Sequence, residues 1–442
     1  MPVSLSGDSR WTIPTALSII HRQTADLREF TPAIVKTHFY MMECVAADHT
    51  RQYPLTSLDQ CEVGRMYAFN PVAVPVLAIP FVVVIETVMQ AVSPITGGLV
   101  DRFEHPVLRA FLTGDAGGSK EILEILISSV FAAGAVTLIY LAALELLPAS
   151  SALLVALTFA FGTLMWSLVS RALWQHSPSV FLNSLLVLLL IRGTYSRRVC
   201  VAIGFILALA FFVRPTNAVP VVVVGGYLLV RVGWKSAVWL AAGALTPTVG
   251  FVWMNLNMYG TILAPFFLPV RANATSLAFH SAIPLALVSN LFSPARGLFV
   301  FMPFFLFLLV PGVWKEPMDD ALRRLRPWFC ALVACHMVLV ATHTDWWGGY
   351  TYGPRYLADI LPYLMMLWSP TVKWVQGHSA RRAMLVATLA VAGFIQFRGA
   401  TSIKAQEWSS TPVSVNSDTG RIWDWSDPPF LRGLPHMPPY SK

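Results

Sequence analysis

The chain has 442 residues, of which 56% are hydrophobic and only 12% are charged. This balance lies outside the usual range of a soluble domain and is typical of a polytopic membrane protein. The formal net charge of +8 could in principle indicate nucleic-acid binding. However, the basic residues lie in short clusters between apolar runs, and such clusters are typical of cytoplasmic loops. The positive charge is therefore best explained by the membrane topology of the chain.

The first 68 residues are predicted to form an external loop that carries short interfacial helices. Behind the polar turn that contains Asp8 and Arg10, apolar residues at positions 13, 16, 17 and 20 recur at near-helical spacing. This pattern is typical of an amphipathic helix that lies in a membrane interface, and an ordinary solvated loop is the alternative. We expect no secretory signal peptide, because polar residues follow Met1 almost at once.

The five cysteines fall into two groups. Cys200, Cys330 and Cys335 lie in or next to apolar runs, where a free cysteine usually packs as a small hydrophobic residue. Cys44 and Cys61 both lie in the first loop, and they could pair if this loop faces an oxidising compartment. The pairing stays open at this point, because it depends on the side of the membrane on which the loop lies.

Residues 69–94 form an apolar run that contains Pro71, Pro75, Pro80 and Pro94. Proline in a helix interior removes a hydrogen bond and kinks the chain, so a full crossing is doubtful although the run is long enough. The segment is therefore either a spanning helix or a re-entrant or interfacial one. In the first case the first loop is cytoplasmic, and in the second case it faces outward.

Further apolar runs approach the ~20 residues that a helix needs to span a bilayer. If the basic clusters between them are cytoplasmic, successive runs carry the chain consistently from one side to the other. The predicted fold class is all-α: a polytopic transmembrane helical protein with about ten spanning helices in a core of residues 95–398, followed by an external C-terminal tail, residues 399–442. The runs are roughly 121–147, 152–170, 177–191, 199–213, 217–231, 236–256, 297–314, 328–343, 356–372 and 383–398.

The predicted topology places every loop with functional character on the outer side. The most informative of these loops runs from His343 to Tyr356 and is polar, aromatic and rich in glycine. It contains Asp345 and Arg355 at the edge of an apolar run, where charged side chains are costly unless they are paired or hydrated. This loop is therefore the best candidate for an active site.

Short motifs follow one another along nearly the whole chain. They are Gly7-Asp8-Ser9-Arg10, the proline-broken run from Asn70-Pro71 to Pro80, Arg171-Ala172-Leu173-Trp174-Gln175-His176, Arg214-Pro215-Thr216-Asn217, Ser293-Pro294-Ala295-Arg296-Gly297, Trp346-Trp347-Gly348-Gly349 with Gly353-Pro354-Arg355-Tyr356-Leu357, and Trp423-Asp424-Trp425. Their order resembles that of the bacterial integral-membrane glycosyltransferases of the GT-C clan. The relatives in that clan include protein O-mannosyltransferases, aminoarabinose lipid A transferases and the catalytic subunit of oligosaccharyltransferase.

The resemblance implies a function for the chain. Members of the clan take a sugar from a polyprenyl-phosphate or polyprenyl-diphosphate carrier and transfer it, on the outer face of the membrane, to a lipid, a polysaccharide or a protein. An acidic residue in their first external loop is the catalytic carboxylate, and Asp8 occupies that place here. The resemblance also implies that the segment after this loop need not span, and that the protein lies in the bacterial inner membrane.

General chemistry predicts roles for the residues in these motifs. A carboxylate can accept the proton of the acceptor hydroxyl, and Asp8 and Asp345 are the two candidates. The fork of a guanidinium matches phosphate oxygens, so Arg355 is the predicted clamp for the leaving group, with Arg296, Arg214 and Arg10 as further candidates. The rings of Trp346, Trp347 and Tyr352 could support a sugar or an isoprenoid, although aromatic residues also concentrate at membrane interfaces for structural reasons. His176 is predicted to be structural.

Other functions are weighed against transferase activity. The first alternative is a non-catalytic or truncated relative that binds a polyprenyl lipid or a partner protein, because Asp8 lies so close to the start and Trp174-Gln175-His176 stands where many members carry a second acid. The second is a transporter or flippase, which would need charged residues near the midplane and repeated halves. No metal site, no cofactor and no nucleic-acid partner is predicted, since His336 and His343 are more typical of packing than of a metal site.

Overall fold

The computed structural model of the protein describes residues 7–267 and 282–435. These residues are mainly helical, and six helical segments are long and apolar enough to cross a membrane: Ala73–Arg102, Lys120–Leu144, Pro215–Val232, Trp234–Tyr259, Asp320–Ala341 and Ser379–Thr401. The chain is therefore a helical membrane protein. The other predicted runs form shorter or interrupted helices. Residues 1–6 of the predicted first loop and residues 436–442 of the predicted tail lie outside the described residues, as do residues 268–281 between two predicted apolar runs.

The α-helices are numbered in chain order. They are α1 Thr12–Arg22, α2 Thr31–Lys36, α3 Ala73–Thr96, α4 Pro106–Leu112, α5 Lys120–Leu144, α6 Ala149–Gly162, α7 His176–Arg192, α8 Arg197–Val213, α9 Ala218–Val232, α10 Trp234–Tyr259, α11 Ile283–Phe292, α12 Leu298–Phe301, α13 Pro311–Lys315, α14 Asp320–Ala341, α15 Leu361–Trp368, α16 Pro370–Gln376, α17 Ser379–Thr401 and α18 Ile403–Glu407.

Short turns of 3-10 helix and one turn of π-helix link these helices. The 3-10 turns are Gly7–Ser9, Arg28–Phe30, Asp59–Cys61, Gly97–Arg102, Pro215–Asn217, Pro265–Phe267, Pro303–Leu309, Arg355–Ile360 and Thr419–Trp423, and the π-helical turn is Met165–Val169. The strands are β1 Met42–Val45, β2 Arg51–Gln52 and β3 Arg65–Ala68.

The N-terminal unit combines the predicted helix with a small sheet that was not predicted. Helix α1 is buried along its first seven residues, and it packs on α3. After it the chain forms an antiparallel sheet in the order β2-β1-β3, with Cys44 opposite both Gln52 and Met66. A disulfide joins Cys44 to Cys61 across 5.6 Å between their Cα atoms. The pairing that the sequence left open is therefore present.

Contacts between loops define two ends of the helical bundle. One end, which we call the Asp8 end, contains residues 7–68, the turn before α7, the turn between α8 and α9, and the loop from 343 to 355. At the opposite end, which we call the basic end, Arg192 at the end of α7 pairs with Glu145 just after α5 at 3.0 Å, and Gln376 at the end of α16 lies 3.5 Å from Ser151 near the start of α6. The basic clusters that were predicted to be cytoplasmic lie at or next to this end. They are Arg192, Arg197 and Arg198; Arg231 and Lys235; Arg323, Arg324 and Arg326; and Lys373, Arg381 and Arg382.

Contacts at both ends of helix α3 and at the start of α5 restrict the path of α3. Its beginning is held at the Asp8 end, because Asn70 Nδ2 donates to Asp8 O at 2.6 Å. Near its other end, Ser93 lies against Gly114, where an added Cβ would stand 3.5 Å from the Ser93 Cβ. Only six residues later, the Lys120 ammonium at the start of α5 lies 5.3 Å from the ring centroid of Trp11.

Helices α8 and α10 share the most extensive contact between two helices in the described chain. Their contact is made by reciprocal glycines: a methyl group added at Gly204 would overlap the backbone of Leu240, and one added at Gly243 would overlap the backbone of Val201. Small residues at such positions let two backbones pack directly, which is a common source of helix association in membranes.

Candidate active-site cavity

A cavity of about 630 Å³ lies at the Asp8 end of the bundle. Its volume is within the range of sites that hold small-molecule ligands. Apolar side chains in its lining come from the beginning of α3, the end of α10, the 3-10 turn Pro265–Phe267 and the end of α14. The lining also contains the polar and charged groups Asp8, Asn70, Gln175, His176, Arg214, Thr216, His343 and Arg355, with Thr12 and Thr15 of α1. The cavity can therefore accept a ligand with an apolar part and a charged part.

Asp8 and Arg355 meet in this cavity although 347 positions separate them. Arg355 Nη1 donates to Asp8 Oδ2 at 2.7 Å, and the Tyr40 hydroxyl donates to Asp8 Oδ1 at 3.0 Å. Tyr40 is itself held in place, because Trp11 Nε1 donates to its carbonyl oxygen at 2.8 Å. The predicted carboxylate and the predicted guanidinium thus form one ion pair at the cavity wall.

The charge state of Asp8 follows from these neighbours. Burial alone would raise the pKa of the Asp8 carboxyl, but the charge and hydrogen bond of Arg355 and the hydrogen bond of Tyr40 outweigh burial, and the net effect is a lowered pKa. A hydrogen bond to a carboxylate and a nearby positive charge both favour the charged form. Asp8 is therefore ionised at neutral pH and can accept a proton.

Aromatic rings hold the Arg355 guanidinium in position. Its centre lies 4.9 Å from the ring centroid of Tyr356 and 5.4 Å from that of Trp174. The Arg214 guanidinium lies 5.3 Å from the centroid of the same Tyr356 ring. Cations over aromatic faces are attracted by the ring quadrupole. Arg355 and Arg214, which both line the cavity, are thus fixed by the same tyrosine.

A second acidic residue, Asp359, lies behind the cavity and was not predicted. Its carboxylate lies 2.9 Å from Arg214 Nε and 3.6 Å from His176 Nδ1, and all three side chains are buried. Arg214 Nη1 also donates to His176 Nε2 at 2.8 Å. The cluster neutralises Arg214 and orients it and His176, which both line the cavity. His176, predicted to be structural, is therefore part of the cavity wall.

The sequence contains a weak indication that Asp359 belongs to a site. It is an acidic residue inside an apolar run, four positions after Arg355, and such residues in membrane segments usually face a partner or a cavity. The motif that contains Arg355 ends at Leu357, so Asp359 is not among the predicted residues.

Three polar atoms of the cavity wall have no hydrogen-bond partner within residues 7–267 and 282–435. They are Arg355 Nε, Trp174 Nε1 and Thr15 Oγ1. Buried polar groups are usually satisfied, and leaving one unsatisfied costs roughly 1–3 kcal/mol. Two of these atoms belong to Arg355 and Trp174, whose side chains are in contact.

Arg296, Trp346, Trp347 and Tyr352 lie elsewhere and do not line the cavity; of the rings in the 343–356 loop, those of His343 and Tyr356 do. Arg296 is buried, and it donates to the carbonyl oxygens of Trp347 at 2.6 Å and Gly349 at 3.0 Å. Trp346 packs with Trp408 of the tail, and Tyr352 is buried and donates to Ile395 O at 2.7 Å. Their observed contacts fasten the 343–356 loop to its surroundings.

The remaining predicted residues lie at the edge of the site. Arg10 stands 5.9 Å from the ring centroid of Tyr40, the tyrosine that donates to Asp8. Asp345 is half-buried, and burial raises the pKa of its carboxyl while the charge of Arg355 lowers it, with a net increase.

Gly348 has a φ of +79°, and an added Cβ there would stand 2.9 Å from Arg355 Cγ. This glycine therefore leaves room for the Arg355 side chain.

Glu124 of α5 supports the turn that carries Asp8. Ser9 Oγ donates to Glu124 Oε2 at 2.7 Å, and both side chains are fully buried. Because Ser9 follows Asp8 directly, this bond anchors the turn to the membrane core of the protein. Glu124 was not predicted as a site residue.

Comparison with known proteins adds no assignment: no family model, no curated protein and no solved structure matches the chain. Within the described ranges no cluster of three or more His, Cys, Asp and Glu side chains could hold a metal ion. Any functional conclusion therefore rests on the cavity and its residues.

Proposed function

We propose that the protein is a membrane glycosyltransferase that moves a sugar from a polyprenyl-phosphate carrier to a lipid, polysaccharide or protein acceptor. The observation that carries this proposal is the pairing of Asp8 with Arg355 in a cavity whose lining is also partly apolar. A polyprenyl-phosphate sugar has the matching parts: an isoprenoid chain, a phosphate and a polar sugar. The order of the sequence motifs, which resembles that of the GT-C clan, supports the same proposal.

The proposed reaction assigns one step to each charged group. The acceptor hydroxyl oxygen bonds to the anomeric carbon, its proton passes to the Asp8 carboxylate, and the bond from the anomeric carbon to the phosphate oxygen breaks. The electron pair of that bond stays on the polyprenyl phosphate, whose growing charge Arg355 stabilises with Arg214 nearby. When the donor phosphate binds Arg355, the guanidinium interacts with both the phosphate and the Asp8 carboxylate. Its stabilisation of the carboxylate then weakens, so the pKa of Asp8 rises as the donor binds.

We further propose that the chain crosses the bacterial inner membrane ten times from α5 onward and that the Asp8 end faces outward. The basic clusters at the other end support this orientation through the positive-inside rule, and the Cys44–Cys61 disulfide suits an oxidising compartment. From Gly114 to Lys120 the chain advances by six residues and can extend at most about 22 Å. This distance is too short to return across a ~30 Å hydrocarbon core. This supports α3 as a re-entrant or interfacial segment.

The proposal is tested by measuring transfer of radiolabelled sugar from polyprenyl-phosphate donors by the purified protein and by two variants. Asp8→Asn removes the base but keeps the shape, and a loss of about 10²–10⁴-fold in kcat is expected for a general base. Asp59→Asn removes the same charge from an exposed position in the same N-terminal unit, and it should leave the rate unchanged.

The outcomes separate transferase activity from the alternatives. A folded Asp8→Asn protein that transfers as fast as the unsubstituted protein contradicts the proposal. If the unsubstituted protein binds the polyprenyl-phosphate donor but transfers to no acceptor class, the non-catalytic lipid-binding alternative is favoured instead. Movement of the intact lipid across a vesicle membrane, without transfer, favours a flippase.

A further inference from the structure

A second cavity lies at the basic end of the bundle, far from Asp8. Its volume is about 260 Å³, and it is formed where three separate segments meet: the end of α7, the end of α9 and the beginning of α14. Helix α7 ends there because Gly193 adopts a left-handed conformation, with φ +65°, and the chain then turns through Tyr195 into α8. The cavity therefore belongs to a defined junction of helices.

Two arginines from different helices line this cavity, Arg231 of α9 and Arg324 of α14. Among the described residues neither of them has an ion-pair or hydrogen-bond partner. Neighbouring basic residues do have partners: Arg323 pairs with Asp320 at 3.2 Å, and Arg326 lies 5.4 Å from the ring centroid of Trp314. The guanidinium donors of both cavity arginines therefore remain available to a ligand.

Two tyrosines line the same cavity as these arginines. The hydroxyl groups of Tyr195 and Tyr227 lie 3.0 Å apart, and Tyr195 donates to Leu190 O at 2.9 Å. The Tyr227 ring packs against Trp328 with centroids 5.6 Å apart. These contacts hold the two hydroxyl groups in place, so the cavity lining combines fixed hydroxyl groups with two guanidinium groups.

We propose that this cavity binds a phosphate-bearing anion, and that its source is the head group of an anionic phospholipid in the adjacent leaflet. A guanidinium fork matches phosphate oxygens, and basic pockets between helices at a membrane surface suit anionic head groups. The volume is slightly below the range for drug-sized ligands, which suits a small anionic group. Free inorganic phosphate has the same chemistry and is the other source to be tested. The proposal is independent of any transferase activity.

The test is native mass spectrometry of the full-length protein in detergent, titrated separately with phosphatidylglycerol, phosphatidylcholine and inorganic phosphate. The unsubstituted protein should bind phosphatidylglycerol more tightly than phosphatidylcholine. In the double variant Arg231→Gln with Arg324→Gln, phosphatidylglycerol affinity should fall about 30-fold, because each basic residue near a membrane surface contributes about 1 kcal/mol.

The control is a double variant that removes two other positive charges from the same end. Arg198→Gln with Arg382→Gln changes two exposed arginines that do not line the cavity, and it should bind phosphatidylglycerol like the unsubstituted protein. If the control loses affinity equally, general surface charge is responsible and the proposed site is wrong. Equal affinity of the unsubstituted protein for the two lipids overturns the phospholipid source, whatever the variants do. Binding of inorganic phosphate that is lost only in the cavity variant identifies free phosphate as the ligand.

Discussion

Asp8 is the residue on which the proposed chemistry depends, and its environment predicts how pH affects the protein. Because the pKa of its carboxyl is lowered in the folded protein, Asp8 stabilises the fold above the unfolded-state pKa of about 3.9, and this stabilisation is lost as pH falls through the folded-state pKa. The difference in Tm between the unsubstituted protein and Asp8→Asn should therefore be constant from about pH 8 to about pH 5 and should shrink in more acidic solution.

The measurement is a thermal unfolding series in detergent across that pH range. Asp59→Asn, at an exposed site with no ion pair in the described chain, should show a small difference at every pH. A Tm difference for Asp8→Asn that widens in acid would mean that Asp8 is not held as a carboxylate by Arg355 and Tyr40.

Asp359 is a positioning residue, and a double-mutant cycle can detect its coupling to Arg214. Asp359→Asn leaves the buried Arg214 guanidinium without its carboxylate, and breaking a buried pair from one side costs about 3–5 kcal/mol. Replacing both partners, as Asn and Gln, should cost less than the sum of the two single changes. Thermal unfolding of the four proteins gives the coupling, and strictly additive effects would show that the 2.9 Å contact does not contribute.

At the level of single residues, the sequence indicated Asp8 and Arg355 as candidates but not Asp359 or His176. Asp8 and Arg355 lie in short polar motifs at the edges of apolar runs. Charged residues are costly at such positions, so their presence there indicates a site. Asp359 and His176 lie inside or against apolar runs, and their pairing arises only when α7, α8 and the turn before α15 meet. Trp346, Trp347 and Tyr352 were predicted to support a substrate from their residue type, and residue type cannot distinguish a ring that lines a cavity, such as that of Tyr356, from one that packs elsewhere in the fold.

At the level of secondary-structure elements, the most extensive contact between two helices is that of α8 with α10, where the two backbones meet at glycines. Gly204→Ala should lower stability by about 1–3 kcal/mol, because the added methyl group meets backbone that cannot move without separating the helices. Gly250→Ala, on α10 but with open space around it, should cost little or should stabilise. Thermal unfolding and the fraction of protein that elutes as a folded species measure both, and equal Tm values for the two variants would contradict the crossing.

The strands show why some elements could not be predicted. Helix α1 was found from its apolar spacing, but β1 and β3 have four residues each and β2 has two, which is too short for an alternating pattern to be distinguished from a loop. Their pairing depends on contacts such as Cys44 with Met66 and on the disulfide. The interrupted helices have a similar explanation, since prolines and a π-helical turn end them without changing the apolar composition that the prediction used.

At the scale of the whole molecule, the two ends of the bundle differ in chemistry. The Asp8 end holds the larger cavity, the disulfide and the polar loops, whereas the basic end holds the arginine clusters and the smaller cavity. The alternation of apolar runs and basic clusters was enough to predict this division. The side on which residues 7–68 lie could not be predicted, because it depended on whether the proline-containing run spans, and the contact of Asp8 with Arg355 is what joins this region to the 343–355 loop.

Labelling of single cysteines in intact cells tests this arrangement directly. With Cys200, Cys330 and Cys335 replaced, exposed reporter positions are Thr56 and Ser426 at the Asp8 end and Thr194 and Ser379 at the basic end. We expect a membrane-impermeant thiol reagent to label Thr56→Cys and Ser426→Cys from outside, and to label Thr194→Cys and Ser379→Cys only after permeabilisation. The positive-inside rule gives the direction, and the Asp8–Arg355 ion pair requires that the first two share a side. Labelling of Thr56→Cys and Ser426→Cys on opposite sides would separate Asp8 from the 343–355 loop and remove the basis of the proposed active site.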